Sequence, residues 1–137
     1  MKAINVFFTA LLLMTVVVSC QRDTYESELE SKLNLFLKNE KVDYEYIIII
    51  PGSGCTGCIT NAENYFLSNV GNNKIKFVFT NNFSKKQLFI KLKKTNLQRS
   101  NIFIDNDNYF YLRDYDKSIY PYRAKVINKE IVEVKML

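Results

Sequence analysis

Three features of this 137-residue chain predict a mixed α/β fold. Tyr46-Ile47-Ile48-Ile49-Ile50 is an unbroken, mostly β-branched run, as expected of a strand buried on both faces. Pro51-Gly52-Ser53-Gly54 stops that strand, and apolar residues then recur at helical spacing from Ile59 to Val70. Farther on, Tyr122 to Ile127 and Ile131 to Met136 flank Asn128-Lys129, a pair suited to a tight hairpin turn.

The elements follow in order. Asp23 with Glu26, or Thr24 with Ser27, can cap a first helix. Leu29, Leu33, Phe36 and Leu37 form its apolar face, and it ends near Asn39. Val42 to Ile50 is the first central strand. The next helix turns Ile59, Ala62, Phe66, Leu67 and Val70 to one side, with Gly71 as its stop. Asn73 to Thr80 is a second strand, in which Ile75, Phe77 and Phe79 alternate with Lys74 and Lys76. Ser84 and Gln87 resemble a capping box for a helix running to about Asn96, with Leu88, Phe89 and Leu92 buried. Asn101 to Asp105 is a short strand, 105–108 a turn, and Tyr109 to Leu112 a return strand. Residues 113–119 are polar and irregular. Pro121 leads into the closing hairpin.

The first twenty residues stand apart. Lys2 precedes a mostly apolar stretch from Ile4 to Val18, shorter than the roughly 20 apolar residues a bilayer span needs. It reads as a signal-peptide core. Val17-Val18-Ser19-Cys20 resembles a bacterial lipobox, which implies that 1–19 are removed and Cys20 carries lipid. A short linker, 20–23, then holds one domain, 24–137, close to a membrane. The resemblance implies the bacterial cell envelope, in an outer membrane facing the periplasm or the surface. No later apolar run is long enough to span a bilayer.

The formal charge of +5 has its densest contribution in Lys85, Lys86, Lys91, Lys93 and Lys94. These read as the solvated face of an amphipathic helix. Nothing resembles an RNA-binding motif or a zinc finger, so no nucleic-acid partner is expected.

The chain has three cysteines. With Cys20 set aside, Cys55 and Cys58 remain, three residues apart where a strand meets a helix. Unpaired N–H groups and the positive end of the helix dipole favour a thiolate at Cys55. A structural disulfide gains most by closing a long loop, and a ring this tight gains little. Thiol–disulfide exchange explains the pair better than a staple does.

Alternative chemistries fit poorly. One CxxC offers a metal two of the four ligands tetrahedral zinc takes, and the chain has no His. No cofactor is called for. The glycines of 51–54 lack the Gly-Lys-Ser/Thr of a phosphate loop. Asp105, Asn106 and Asp107 lack the calcium-loop spacing and read as a turn. Tyr109, Tyr111, Tyr115, Tyr120 and Tyr122 read mainly as packing.

The order strand, Cys55-Thr56-Gly57-Cys58, helix, strand, helix, then Tyr120-Pro121 and a hairpin resembles the thioredoxin-like family. The resemblance covers roughly Val42 to the C-terminus. It implies a three-layer α/β sandwich around a mixed central sheet, here lacking the final helix. It also implies a disulfide oxidoreductase with Cys55 and Cys58 as catalytic residues. A cis Tyr120-Pro121 bond beside them would position the substrate chain, and the partners would be protein thiols or disulfides of the envelope. Three departures stand out. Gly54 replaces the usual Trp, Ile49 replaces the usual buried acid, and Thr-Gly replaces the usual middle pair. A second reading keeps the scaffold as a non-enzymatic surface lipoprotein for protein binding.

Overall fold

The computed structural model describes residues 24–82 and 84–137. The expected signal peptide, lipid-bearing Cys20 and linker therefore lie outside the described residues. Helix α1 spans Tyr25–Leu37, and Thr24 caps it by accepting from Ser27 N–H at 3.3 Å. Leu29, Leu33 and Leu37 are buried as the spacing predicts, and Tyr25 joins them.

Strand β1 is Tyr46–Pro51, later at both ends than expected. Pairing begins only where Glu45 N–H reaches Lys74 O at 2.8 Å, which leaves Val42 exposed. Pro51 ends the strand in register with Thr80 and is buried. Helix α2 is Thr56–Asn69, burying Ile59, Ala62, Glu63 and Phe66, while Leu67 is exposed. Strand β2, Ile75–Thr80, is buried along its whole length. Helix α3, Lys85–Leu92, is capped by Ser84. It does not run on to Asn96. Lys93 adopts φ 65°, which breaks it, and one turn, α4, follows at Lys94–Leu97. The lysines thus do not share one helix face.

Strand β3 is Ile102–Ile104. The return strand at Tyr109–Leu112 does not form. The Asp105 carboxylate takes the N–H groups of Tyr109 (2.9 Å) and Phe110 (2.8 Å), so a ladder cannot use them. Phe110 and Leu112 pack into the core instead. A 3₁₀ turn covers Asp116–Ile119. Strands β4, Tyr122–Ile127, and β5, Glu130–Met136, form the closing hairpin. Asn128 and Lys129 have φ values of 52° and 62°, the left-handed pair of a type I′ turn.

The sheet order is β3-β2-β1-β4-β5. β1, β2 and β3 are parallel, and β4 and β5 each run antiparallel to their neighbour. Two cores lie on opposite faces. On one, α1 packs over Ile47, Ile49, Val78, Tyr122, Ala124 and Val126. On the other, α2 and α3 pack over Ile48, Ile50, Phe77 and Phe79. The alternating isoleucines of β1 therefore feed both layers. The result is an α/β sandwich around a five-stranded mixed sheet.

Lys76 departs from the expected pattern. Its stem lies in the α1 layer, and its ammonium is buried, 3.1 Å from Glu40 and 3.2 Å from Ser100 O. The rings of Phe36 and Tyr44 lie within 5.7 Å of it. A buried cation persists when it is paired and hydrogen-bonded in this way.

Candidate functional site

The Cys55–Cys58 pair sits at the carboxyl end of β1, the strand central in the sheet. The sulfurs form a disulfide with a Cα–Cα separation of 5.3 Å. Cys55 is the N-cap residue of α2, and Cys58 lies in its first turn. Ile59 N–H bonds back to Cys55 O at 2.9 Å, so the ring closes around the start of the helix. Both cysteines are half-buried, while Thr56 and Gly57 are exposed between them. A Cβ added at Gly57 would meet nothing within 4 Å, so the top of the ring opens to solvent.

Close packing holds the approach to the ring. Gly54 has φ 138°, a region L side chains rarely adopt. A Cβ there would collide with Ile119, lying 2.6 Å from its Cβ and 2.8 Å from its Cα. Next to it, Cys55 N–H donates to Ile119 O at 3.2 Å. Gly52 is equally constrained: an added Cβ would lie 2.6 Å from Asn81 O and 2.9 Å from the Asn82 Cα. Its N–H donates to Thr80 O at 2.8 Å, and Asn81 Nδ2 donates to Ser53 Oγ at 2.7 Å. The loop before Cys55 is thus wedged between the end of β2 and the strap that precedes β4.

That strap carries Tyr120 and Pro121. The expected cis bond between them is absent, as no cis peptide occurs among the described residues. Tyr120 leaves the 3₁₀ turn extended, at φ −103° and ψ 148°, the region favoured before a trans proline. Pro121 is buried, and its carbonyl accepts from Leu137 N–H at 3.0 Å. The residue that touches the CxxC loop is Ile119, one place before the expected pair. No local signal marks Ile119. Only the Gly beside Cys55 hints that something must approach closely there.

The strand that leads to the ring carries no acid. Ile49 is buried in the α1 layer and supplies no proton acceptor. Glu63 is buried on α2, and its carboxylate is bound by Lys91 at 2.6 Å. The pair lines a pocket of about 160 Å³ with Gly52, Asn82, Ser84 and Gln87. Asp105 is held by Thr80 Oγ1 at 2.8 Å and by the two N–H groups named above, forming the expected turn. On the other side of the ring, Cys58, Asn61, Ala62, Tyr65 and Leu137 line a shallow depression of about 350 Å³.

The tyrosines near the strap are mostly packing, as the sequence suggests. Tyr122 is fully buried with its ring 4.7 Å from that of Tyr25. Burial, helped by Glu26 and Tyr120, raises the Tyr122 phenol to about 12, so it stays neutral. Among the described residues no group of three or more His, Cys, Asp or Glu side chains converges as a metal site, and no helix is long and apolar enough to cross a membrane. No family model, curated protein or solved structure matches this chain.

Proposed function

We propose that this chain is a lipid-anchored thiol–disulfide oxidoreductase of thioredoxin-like type in the bacterial cell envelope. The observation that carries the reading is the half-buried Cys55–Cys58 disulfide on the first turn of α2. It sits at the end of the central strand, against the strap that leads into a Pro-started hairpin. The order strand, CxxC, helix, strand, helix, hairpin supports the same reading.

In the reductive direction, the Cys55 thiolate attacks one sulfur of a substrate disulfide. That S–S bond breaks, and the departing thiolate takes a proton from water. Cys58 then gives up its proton and attacks the Cys55 sulfur, forming the ring and releasing the second substrate thiol. A dithiol donor returns two electrons and two protons to the ring. The oxidative direction is the reverse, and the reduction potential against the partner selects between them. With Ile49 in place of an acid, Cys58 loses its proton less readily, so resolution is slower than in a typical thioredoxin.

The trans Tyr120–Pro121 bond favours the second reading, a scaffold that binds proteins without exchange. A redox titration of the Cys55–Cys58 couple, together with trapping, separates the two. Cys58→Ala should accumulate mixed disulfides through Cys55 with envelope proteins, and Cys55→Ala should trap few. If neither variant traps a partner and the couple does not cycle, the scaffold reading replaces exchange. The anchor is tested by fractionation: Cys20→Ala should leave the membrane fraction, and a variant as membrane-bound as the parent would refute it.

A further inference from the structure

We propose that the outer edge of β5 is a docking surface for a second copy of this chain, joining two sheets across a two-fold axis at Val134. β5 is seven residues long and lies at one end of the sheet, so one side of its backbone has no strand partner among the described residues. The direction of its free groups follows from the ladder. Leu137 N–H donates to Pro121 O, toward β4. Antiparallel alternation then turns Lys135 toward β4, and the N–H and C=O of Val134 and Met136 away from it. At the start of the strand the edge is already covered, because Asn34 Oδ1 accepts from Ile131 N–H at 2.8 Å. The β4–β5 register shifts next to it and leaves Val132 as an extra residue in β5, so the regular open stretch is 133–136.

The side chains along that stretch are self-complementary. Antiparallel pairing centred on Val134 sets Glu133 of each copy opposite Lys135 of the other. It sets Val134 opposite itself and leaves Met136, which is 52% exposed, at each end of the seam. Within one chain Glu133 and Lys135 already attract each other at 3.1 Å, with both side chains nearly half exposed. The two-fold arrangement surrounds each charge with opposite ones. Cross-strand opposite charges stabilise a sheet, and like charges placed opposite each other destabilise it. A strand segment that reads acid, apolar, base pairs with itself across a two-fold axis, which is what an isologous contact requires. Register is specified too: a slip by two residues places like charges opposite each other or leaves them unpaired.

The test is sedimentation velocity of the full-length chain, in density-matched detergent, over a wide concentration range. The parent should double in mass as concentration rises. Val134→Pro removes an N–H that faces away from β4, together with some packing of a half-buried side chain on the α1 layer, and proline is tolerated on edge strands, so circular dichroism should still show a folded monomer. Its mass should not rise. Glu133→Lys and Lys135→Glu each place two like-charge pairs across the seam, and each should weaken association about tenfold. The double exchange E133K/K135E should recover it, an outcome that general damage to β5 would not produce. A parent that stays monomeric throughout, a V134P variant that associates like the parent, or a double exchange no better than the single ones would overturn the proposal.

Discussion

Two loops at the carboxyl end of the parallel strands are fastened by opposite means. The loop after β3 is held by polar contacts: the Asp105 carboxylate gathers a hydroxyl and two backbone N–H groups, and Phe110 and Leu112 anchor it below. The loop after β1 has no such carboxylate. Glycine allows Gly52 and Gly54 to lie against backbone that any larger residue would strike, and one N–H to Ile119 completes the hold. Polar fastening buries the Asp105 carboxylate while residues 106–109 stay exposed around it. Close backbone packing fixes the ring's approach while leaving Thr56 and Gly57 open to solvent, as an exchange site requires. Asn81 joins the two regions: its side chain donates to Ser53, and its N–H donates to Asn108 Oδ1 at 3.0 Å.

The comparison can be broken at several points, the largest effect first. Gly54→Ala should cost about 3 kcal/mol or more, because its positive φ and the contact with Ile119 cannot both be kept. Urea unfolding reads the loss, and a cost below about 1 kcal/mol would show that the strap simply moves aside. Asp105→Ala orphans one buried and one part-buried N–H group and the Thr80 hydroxyl, at an expected cost of about 2–3 kcal/mol. It should leave the reduction potential of the Cys55–Cys58 couple unchanged, since this carboxylate fastens the other loop.

Asn81→Ala tests the link. It loses the hydrogen bond to Ser53 and puts a side chain that tolerates φ 51° less well in its place, for about 1 kcal/mol. Unlike Asp105→Ala, it should also shift the reduction potential, because Ser53 lies two residues before Cys55. An unchanged potential would assign Asn81 to the polar loop alone.

The smallest effect comes from the tether of the strap to α1. Lys117 Nζ lies 2.6 Å from Glu26 Oε1, and that hydrogen bond holds the Glu26 carboxyl below its ordinary value of 4.5. A folded-state value lower than the unfolded one means the stabilisation is complete above pH 4.5 and fades as pH falls through the depressed value. Both side chains are partly exposed, so screening keeps the contribution under about 1 kcal/mol. Stability measured from pH 6 down to 3 should fall slightly more steeply for the parent than for Glu26→Gln. Identical slopes would show that the tether contributes nothing.

Much of the layer structure was legible because it is written in local periodicity. The isoleucine run, the leucine face of α1, the capping serine of α3 and the Asn128-Lys129 turn each depend on neighbours a few residues away. The errors have causes that periodicity does not register. Lys76 alternates like a solvent-facing lysine, yet Glu40 and two aromatic rings from elsewhere in the chain bury it. Tyr109 to Leu112 alternates like a strand, yet a carboxylate four and five residues back captures its N–H groups. At the candidate site the two cysteines were visible by spacing, whereas Ile119 was not, because 64 residues separate it from Cys55 and it carries no chemical signature.

By itself the sequence determined most of the elements, the two apolar faces of β1, the hairpin turn and the pairing of Cys55 with Cys58, since short-range geometry decides all of these. Tertiary structure decided which backbone lies against the ring, that Tyr120–Pro121 enters β4 in trans, where Lys76 finds its counter-charge, and which strand edge is left open. Those outcomes depend on which distant segments come into contact, and a residue's type and spacing do not specify its distant neighbours.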